Sequence, residues 1–105
     1  MEIKKNQITR HVRDDRAERL AIIGATVGFG DVVLRERYNP AKESWSCFMD
    51  SGAMLIWSKN KKKLVTGFIP TKEQVMWTYN GSINKFIQKL VENANKKYEK
   101  ALAKV

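Results

Sequence analysis

The chain has 105 residues, with 20 lysines and arginines against 11 aspartates and glutamates, a net charge of +9 and a pI near 9.9. This length predicts a single domain over residues 1–105, and a hydrophobic content of 43% is enough for one core. One cysteine excludes an internal disulfide framework and a cysteine-rich zinc site, and no carboxylate cluster has metal-ligand spacing. We therefore expect no metal and no other cofactor. Without an apolar run of about 20 residues or an apolar signal-peptide core, we expect a cytoplasmic protein with no membrane partner.

The apolar pattern predicts one helix followed by four strands. Thr9 is a plausible N-cap for a helix over residues 10–25, and the glycine-rich residues 28–30 end this helical segment. Alternating and β-branched residues then predict four strands, at residues 32–38, 44–50, 53–58 and 63–69. Short turns separate the last three strands, which predicts an antiparallel meander that the first strand joins. The nearly continuous apolar run of the third strand is typical of a central strand covered on both faces.

Aromatic and sulfur-containing side chains are predicted to belong mainly to the core. Trp45, Cys47 and Met49 alternate along the second predicted strand and therefore share one face. Cys47 is expected to be a small core hydrophobe, since no second histidine is present to activate it. Seven aromatic residues could serve either as core or as base-stacking platforms. These seven residues are Tyr38, Trp45, Phe48, Trp57, Phe68, Trp77 and Tyr79. We expect most of them to be buried, with Trp77 and Tyr79 as the exceptions.

Two helices are predicted after the sheet. Residues 71–74 have the spacing of a capping box and begin a short helix over residues 72–78. Asn80-Gly81 interrupts it, and Ser82 is expected to cap a second helix. From Ile83 onward the apolar residues follow the 3.6-residue period for five turns, which predicts a long amphipathic helix that could also mediate a homodimer. The predicted fold class is therefore α+β: an N-terminal helix, a four-stranded antiparallel sheet, a short helix and a long C-terminal helix.

The positive charge is concentrated in two segments. Residues 59–63 contain four lysines and no acid, and residues 83–105 contain six lysines and two glutamates, so each segment carries +4. Such clusters favour a polyanionic partner, RNA or DNA, or an acidic protein surface; a solvated turn and a solvated helix face would have the same composition. The lysines that we expect to contact nucleic acid are Lys59, Lys61, Lys62, Lys63, Lys89 and Lys96.

The first predicted helix carries residues that could support chemistry. His11 is the only histidine, and a neutral imidazole beside arginines could act as a general base on a ribose hydroxyl. Arg10, Arg13, Arg16 and Arg19 are spaced by three residues and could form a phosphate-binding row, in which we expect Arg13 and Arg16 to contact nucleic acid. An exposed histidine at a helix start and ordinary surface ion pairs are the alternatives. Spacing alone favours these alternatives.

Two segments of the chain resemble a known group of proteins. One is Ile8-Thr9-Arg10-His11, followed on the same helix by Arg16 and Arg19. The other is residues 52–68, which contain the runs Gly-Ala-Met-Leu-Ile and Lys-Leu-Val-Thr-Gly-Phe. Together they resemble small phage and prophage proteins of Gram-positive bacteria, which look like the RelE/ParE–barnase–EndoU group of toxin-like RNase domains. The resemblance covers a toxin-like core at residues 8–70 and leaves the helical residues 71–105 outside.

The resemblance implies a metal-independent endoribonuclease. It assigns acid or base catalysis to His11, a phosphate contact to Arg19 and a polar position facing the scissile site to Thr66. Arg16 departs from the group's pattern, because it follows His11 by five residues instead of four and is rotated by about 100° on a helix.

Three classes of function remain open from the sequence. The first is a phage-type basic protein that binds RNA or another polyanion, with RNase activity as an additional possibility. The second is a non-enzymatic phage protein that binds and inhibits a host defence factor, which could be a protein or a nucleoprotein such as a CRISPR effector. A small structural or regulatory phage protein that self-associates through its C-terminal helix is a third.

Overall fold

A computed structural model describes residues 17–103, which form three helices and one four-stranded sheet. In chain order the elements are α1 (Ala17–Thr26), β1 (Val33–Asn39), β2 (Ser44–Met49), β3 (Met54–Ser58), β4 (Leu64–Phe68), α2 (Lys72–Thr78) and α3 (Lys85–Ala103). The strand order in the sheet is β1-β2-β3-β4, and each neighbouring pair is antiparallel. The predicted α+β class and the predicted meander are confirmed. Residues 10–16 of the first predicted helix lie outside the described residues.

The register divides the strand side chains between two faces. On the first, the α1 face, Leu20 of α1 packs on a cluster that includes Cys47, Leu55 and Trp57. On the second, the α2/α3 face, a separate cluster joins two strand residues to both later helices; its buried members are Phe48, Met54, Val75, Ile87 and Val91. Since both clusters include residues of β3, the prediction of a central strand covered on both faces is confirmed.

Gly67 allows α1 to approach the edge strand β4 closely. A Cβ atom at this position would lie 2.9 Å from Leu20 Cδ2 and 3.1 Å from Leu55 Cδ2. Leu20 therefore packs directly on the backbone of β4, where a larger residue would hold the helix away. This packing brings the neighbouring Arg19 to the β4 edge of the sheet.

Of the predicted caps of the two later helices, the one for α2 is confirmed and the one for α3 is not. Thr71 caps α2 in a reciprocal capping box with Gln74, as predicted. The predicted cap of α3 is wrong: α3 begins at Lys85, and Asn84 Oδ1 accepts a hydrogen bond of 2.9 Å from the backbone N–H of Ile87. The N-cap is Asn84, two residues after Ser82, because the Asn84 side chain reaches the N–H of the third helical residue.

Fewer aromatic side chains are buried than the sequence predicts. Only Phe48 and Trp57 of the seven aromatic residues named above are buried. Trp77 is 39% exposed, as expected for one of the two exceptions, and the other four are half-buried. Trp45 is half-buried: its ring packs against the cluster of the α1 face and against Tyr38, and the side chain of the exposed Lys61 lies over it at 4.3 Å.

Candidate functional site

A groove of about 820 Å³ lies over the α2/α3 face of the sheet, beside α2. Its floor carries hydroxyl groups from three strands, and its wall is formed by the side of α2 that includes Trp77. The hydroxyl-bearing residues of the floor are Ser44, Ser46, Ser58 and Thr66. Such a lining offers many hydrogen-bond donors and acceptors in a concavity of the size that proteins use for ligands.

The strand register arranges part of this floor in one cross-strand row. Arg37 pairs with Ser46, Ser46 with Ile56, and Ile56 with Thr66. The row spans three strand spacings, which is about 14 Å. A register shift between Ile56 and Trp57 is what aligns Thr66 with this row. The row therefore links β1 at one side of the groove to β4 at the other.

Arg19 and Thr66 meet at the β4 side of the groove. Arg19 Nη2 donates a hydrogen bond of 3.4 Å to Thr66 Oγ1, and both residues line the groove. The Nε atom of Arg19 is buried and has no hydrogen-bond partner among residues 17–103. A buried donor without a partner is destabilising by about 1–3 kcal/mol, so such groups usually indicate a ligand or a water. Nε and Nη2 form one edge of the guanidinium, and this edge fits a phosphate or carboxylate bidentately.

Trp77 is held at the α2 wall of the groove by Arg37. The guanidinium carbon of Arg37 lies 4.3 Å from the centroid of the Trp77 ring, in cation–π geometry. Arg37 Nη1 also donates a hydrogen bond of 2.6 Å to the backbone carbonyl of Trp77. One arginine therefore fixes both the ring and the backbone of an exposed tryptophan.

The lysine-rich turn does not form one uniform basic surface. Lys61 pairs with Glu36 at 2.8 Å on the α1 face, opposite the groove. Lys59 pairs with Glu43 at 3.9 Å, and more than two thirds of both side chains is exposed, so this pair is weak. Glu43 lines the groove, so Lys59 partly neutralises the only carboxylate among the described lining residues. Lys62 and Lys63 are exposed.

Apart from the four lysines of the lysine-rich turn, the predicted site residues fall into three groups. Arg19 and Thr66 are brought together at the β4 side of the groove. Lys89 and Lys96 are exposed on α3 and lie outside the groove lining given by the described residues. His11, Arg13 and Arg16 lie outside the described residues.

Several groove residues were not predicted from the sequence. Asn39 of β1 lines the groove, and Arg37 lies beside it against Trp77. Both are on the same face of the sheet as Ser44 and Ser46 of β2, with which they pair. Alternation along the two strands was the available signal, since each strand places polar residues at every second position. It could be used only once the pairing register of the two strands was known.

Cys47 is a buried thiol of the α1 face and not part of the groove. Its Sγ–H contacts Glu36 Oε2 at 3.8 Å. Burial, and then the negative charge of Glu36, raise the pKa of the Cys47 thiol to about 11. A thiol that stays protonated at neutral pH is a poor nucleophile, in agreement with the predicted core role. Within residues 17–103, no group of three or more histidine, cysteine, aspartate or glutamate side chains could hold a metal ion.

Comparison with known proteins adds no family assignment. No family model matches the chain, and no similar curated protein or solved structure was found. The resemblance to toxin-like RNase domains therefore stays a prediction. None of the helices within the described part of the chain is long and apolar enough to cross a membrane.

Proposed function

We propose that the protein binds single-stranded RNA in the groove, with a phosphate held by Arg19 beside Thr66. The observation that carries this proposal is the buried Nε of Arg19, a donor that has no partner among residues 17–103 and lies at the β4 side of the hydroxyl-lined groove. A phosphate would accept hydrogen bonds from Nε and Nη2 together and would satisfy this donor.

Three further features of the protein support RNA as the ligand. Lys42 lines the same groove and supplies a second positive charge. The hydroxyl and amide groups of the floor can hydrogen-bond to base edges and to ribose 2′-hydroxyls, which distinguish RNA from DNA. The net charge of +9 favours association with a polyanion at low ionic strength. A single strand fits a concave site next to an exposed aromatic ring better than a rigid duplex does.

The binding test compares two arginine substitutions in the full chain. Arg19→Ala should weaken binding of a fluorescein-labelled single-stranded RNA by about 10- to 100-fold in fluorescence anisotropy, because a charge-assisted bidentate contact is lost. Arg35→Ala is the matched control: it removes the same charge from a residue that packs over Tyr79, outside the described groove lining. Arg35→Ala should weaken RNA binding only to the extent that the protein loses one positive charge.

The outcome of this comparison decides the proposal. Equal weakening by the two substitutions would show that the groove does not hold the phosphate. Failure of the unsubstituted protein to bind RNA even at low salt would reject RNA as the ligand. Circular dichroism of each variant verifies that the fold is retained.

We also propose that the bound RNA is cleaved without a metal, with His11 as acid or base. This step rests on the resemblance, and it gains support from the meeting of Arg19 and Thr66, which the same resemblance assigns to the site. Incubation of RNA with the protein in EDTA, beside His11→Ala, tests it. Cleavage by the intact chain that is lost in the variant is expected. Uncut RNA with the intact chain would reject the enzymatic function and leave the binding function standing.

A further inference from the structure

We infer that Trp77 is a stacking platform for one unpaired base of the RNA, at the end of the groove away from the phosphate site. This inference rests on the proposed function and adds the recognition of a base to that of a phosphate. It concerns α2, which lies outside the segment that resembles the toxin-like domains.

The Trp77 ring is exposed in the groove and held in place by Arg37. The indole is 39% exposed and lines the groove, although burial of so large an aromatic group would be favourable. Arg37 lies over the ring at 4.3 Å and hydrogen-bonds to the carbonyl of the same residue at 2.6 Å. The ring is thus fixed before any ligand arrives, so little side-chain entropy is lost when a base stacks on it.

The residues of α2 around Trp77 fix the helix on the sheet. Thr78, the next residue, is buried, and its Oγ1 donates a hydrogen bond of 3.2 Å to the carbonyl of Gln74. Val75, on the opposite side of the short helix, is fully buried in the α2/α3 core. The helix that carries Trp77 is therefore anchored on the sheet, and the platform is part of a rigid element.

Trp77 and the Arg19–Thr66 pair lie toward opposite ends of the groove. Arg37 and Thr66 stand at opposite ends of one cross-strand row, about 14 Å apart from strand spacing. A phosphate at Arg19 and Thr66 and a base at Trp77 therefore belong to an extended ligand that runs across the strands. This geometry favours an oligonucleotide over a mononucleotide, and it favours a base over a second phosphate at Trp77, because a flat apolar ring stacks on a base.

The test separates base stacking from phosphate binding by using two probes. Labelled oligouridine contains bases, whereas inorganic polyphosphate is a polyanion without bases. Trp77→Leu should weaken oligouridine binding by about 5- to 100-fold and leave polyphosphate binding unchanged. Trp77→Phe, which keeps an aromatic ring, should restore a large part of the loss. Phe86→Leu is the matched control, because Phe86 is 69% exposed on α3 outside the described lining and should affect neither probe.

Two results would overturn the inference. If Trp77→Leu changes neither probe, no base stacks on this ring, while the proposed phosphate site at Arg19 still stands. If Trp77→Leu weakens both probes equally, the residue acts through the shape or stability of the groove. Failure of the unsubstituted protein to bind oligouridine would instead reject the proposed function itself, and the stacking site with it.

Discussion

Gly52 is a position at which the structure predicts a strong response to one added methyl group. This residue ends the β2–β3 turn, is buried and has a φ of +93°. A Cβ atom there would lie 2.7 Å from Ala94 Cβ and 3.2 Å from the carbonyl oxygen of Leu90, both in α3. Neither atom can rotate away, because the backbone of the helix fixes both. Gly52→Ala therefore forces the hairpin and α3 apart.

Two effects set the magnitude for Gly52→Ala. An L-residue in the left-handed region costs about 1–2 kcal/mol, and overpacking of a tight contact costs about 1–3 kcal/mol. After allowing for up to about 1 kcal/mol gained by restricting the unfolded chain, the free energy of unfolding should fall by about 2–4 kcal/mol. This is a large share of the roughly 5–15 kcal/mol typical of a domain.

Urea unfolding followed by tryptophan fluorescence measures this loss, and a second substitution tests its cause. Ala94→Gly removes the atom at 2.7 Å and by itself costs about 1 kcal/mol of helix stability. The double variant should therefore be less destabilised than the sum of the single variants, by about 1–2 kcal/mol. Gly81→Ala is the control, because its φ is +122° but no atom lies within 4 Å of the added Cβ. It should show the strain alone and no coupling to Ala94. Additive effects of Gly52→Ala and Ala94→Gly, within about 0.5 kcal/mol, would refute the clash.

Three further predictions concern the α1 face, the lysine turn and the cap of α2. The pKa of Cys47 is raised from 9.0 to about 11, so the protonated thiol stabilises the fold below pH 9 and this contribution is lost as the pH rises to 11. Cys47→Ala should therefore reduce the decrease in the urea midpoint at alkaline pH. An unchanged decrease would show that Cys47 is not the group that titrates. Lys61→Met should lower the free energy of unfolding by about 0.5–1 kcal/mol, since it removes a half-exposed ion pair and a cation–π contact. The matched Lys62→Met should be nearly neutral, and equal effects in urea would exclude these contacts as the cause. Thr71→Ala removes the Oγ1 that accepts from Gln74 N–H and should cost about 1 kcal/mol in the same measurement, whereas a neutral result would mean that the box does not stabilise α2.

Local sequence signals were sufficient for most of the described elements. Strand ends followed alternation and turn residues, and α2 was predicted over its observed residues because Thr71 and Gln74 satisfy each other within one turn of chain. The start of α3 was displaced by two residues because Ser82 and Asn84 are both competent caps, and only the backbone decides between them. Local sequence propensity thus predicted which helices and strands form more accurately than the residues at which they begin and end.

The groove could not be predicted from the sequence, because its residues come together only through long-range strand pairing. Thr66 reaches the row of Ser46 and Ile56 only through a register shift in β3–β4 pairing. Lys61 belongs to the α1 face because its backbone adopts a φ of +61° and its side chain turns back to Glu36, 25 residues earlier. Charge counting assigned this lysine to a binding surface, but pairing with a distant carboxylate is a property of the folded chain.

The contact between α1 and β4 also has a consequence for the order in which the molecule assembles. The strands pair with their neighbours in the chain across short turns, so forming the meander closes only small loops. Arg19 and Thr66 are 47 residues apart, and their contact requires closure of a much longer loop. Since long-range contacts form at a higher entropic cost, the sheet can form before α1 docks. During synthesis α1 leaves the ribosome before β4 does, so the contact between Arg19 and Thr66, and with it the proposed phosphate site, can form only after the whole sheet has emerged.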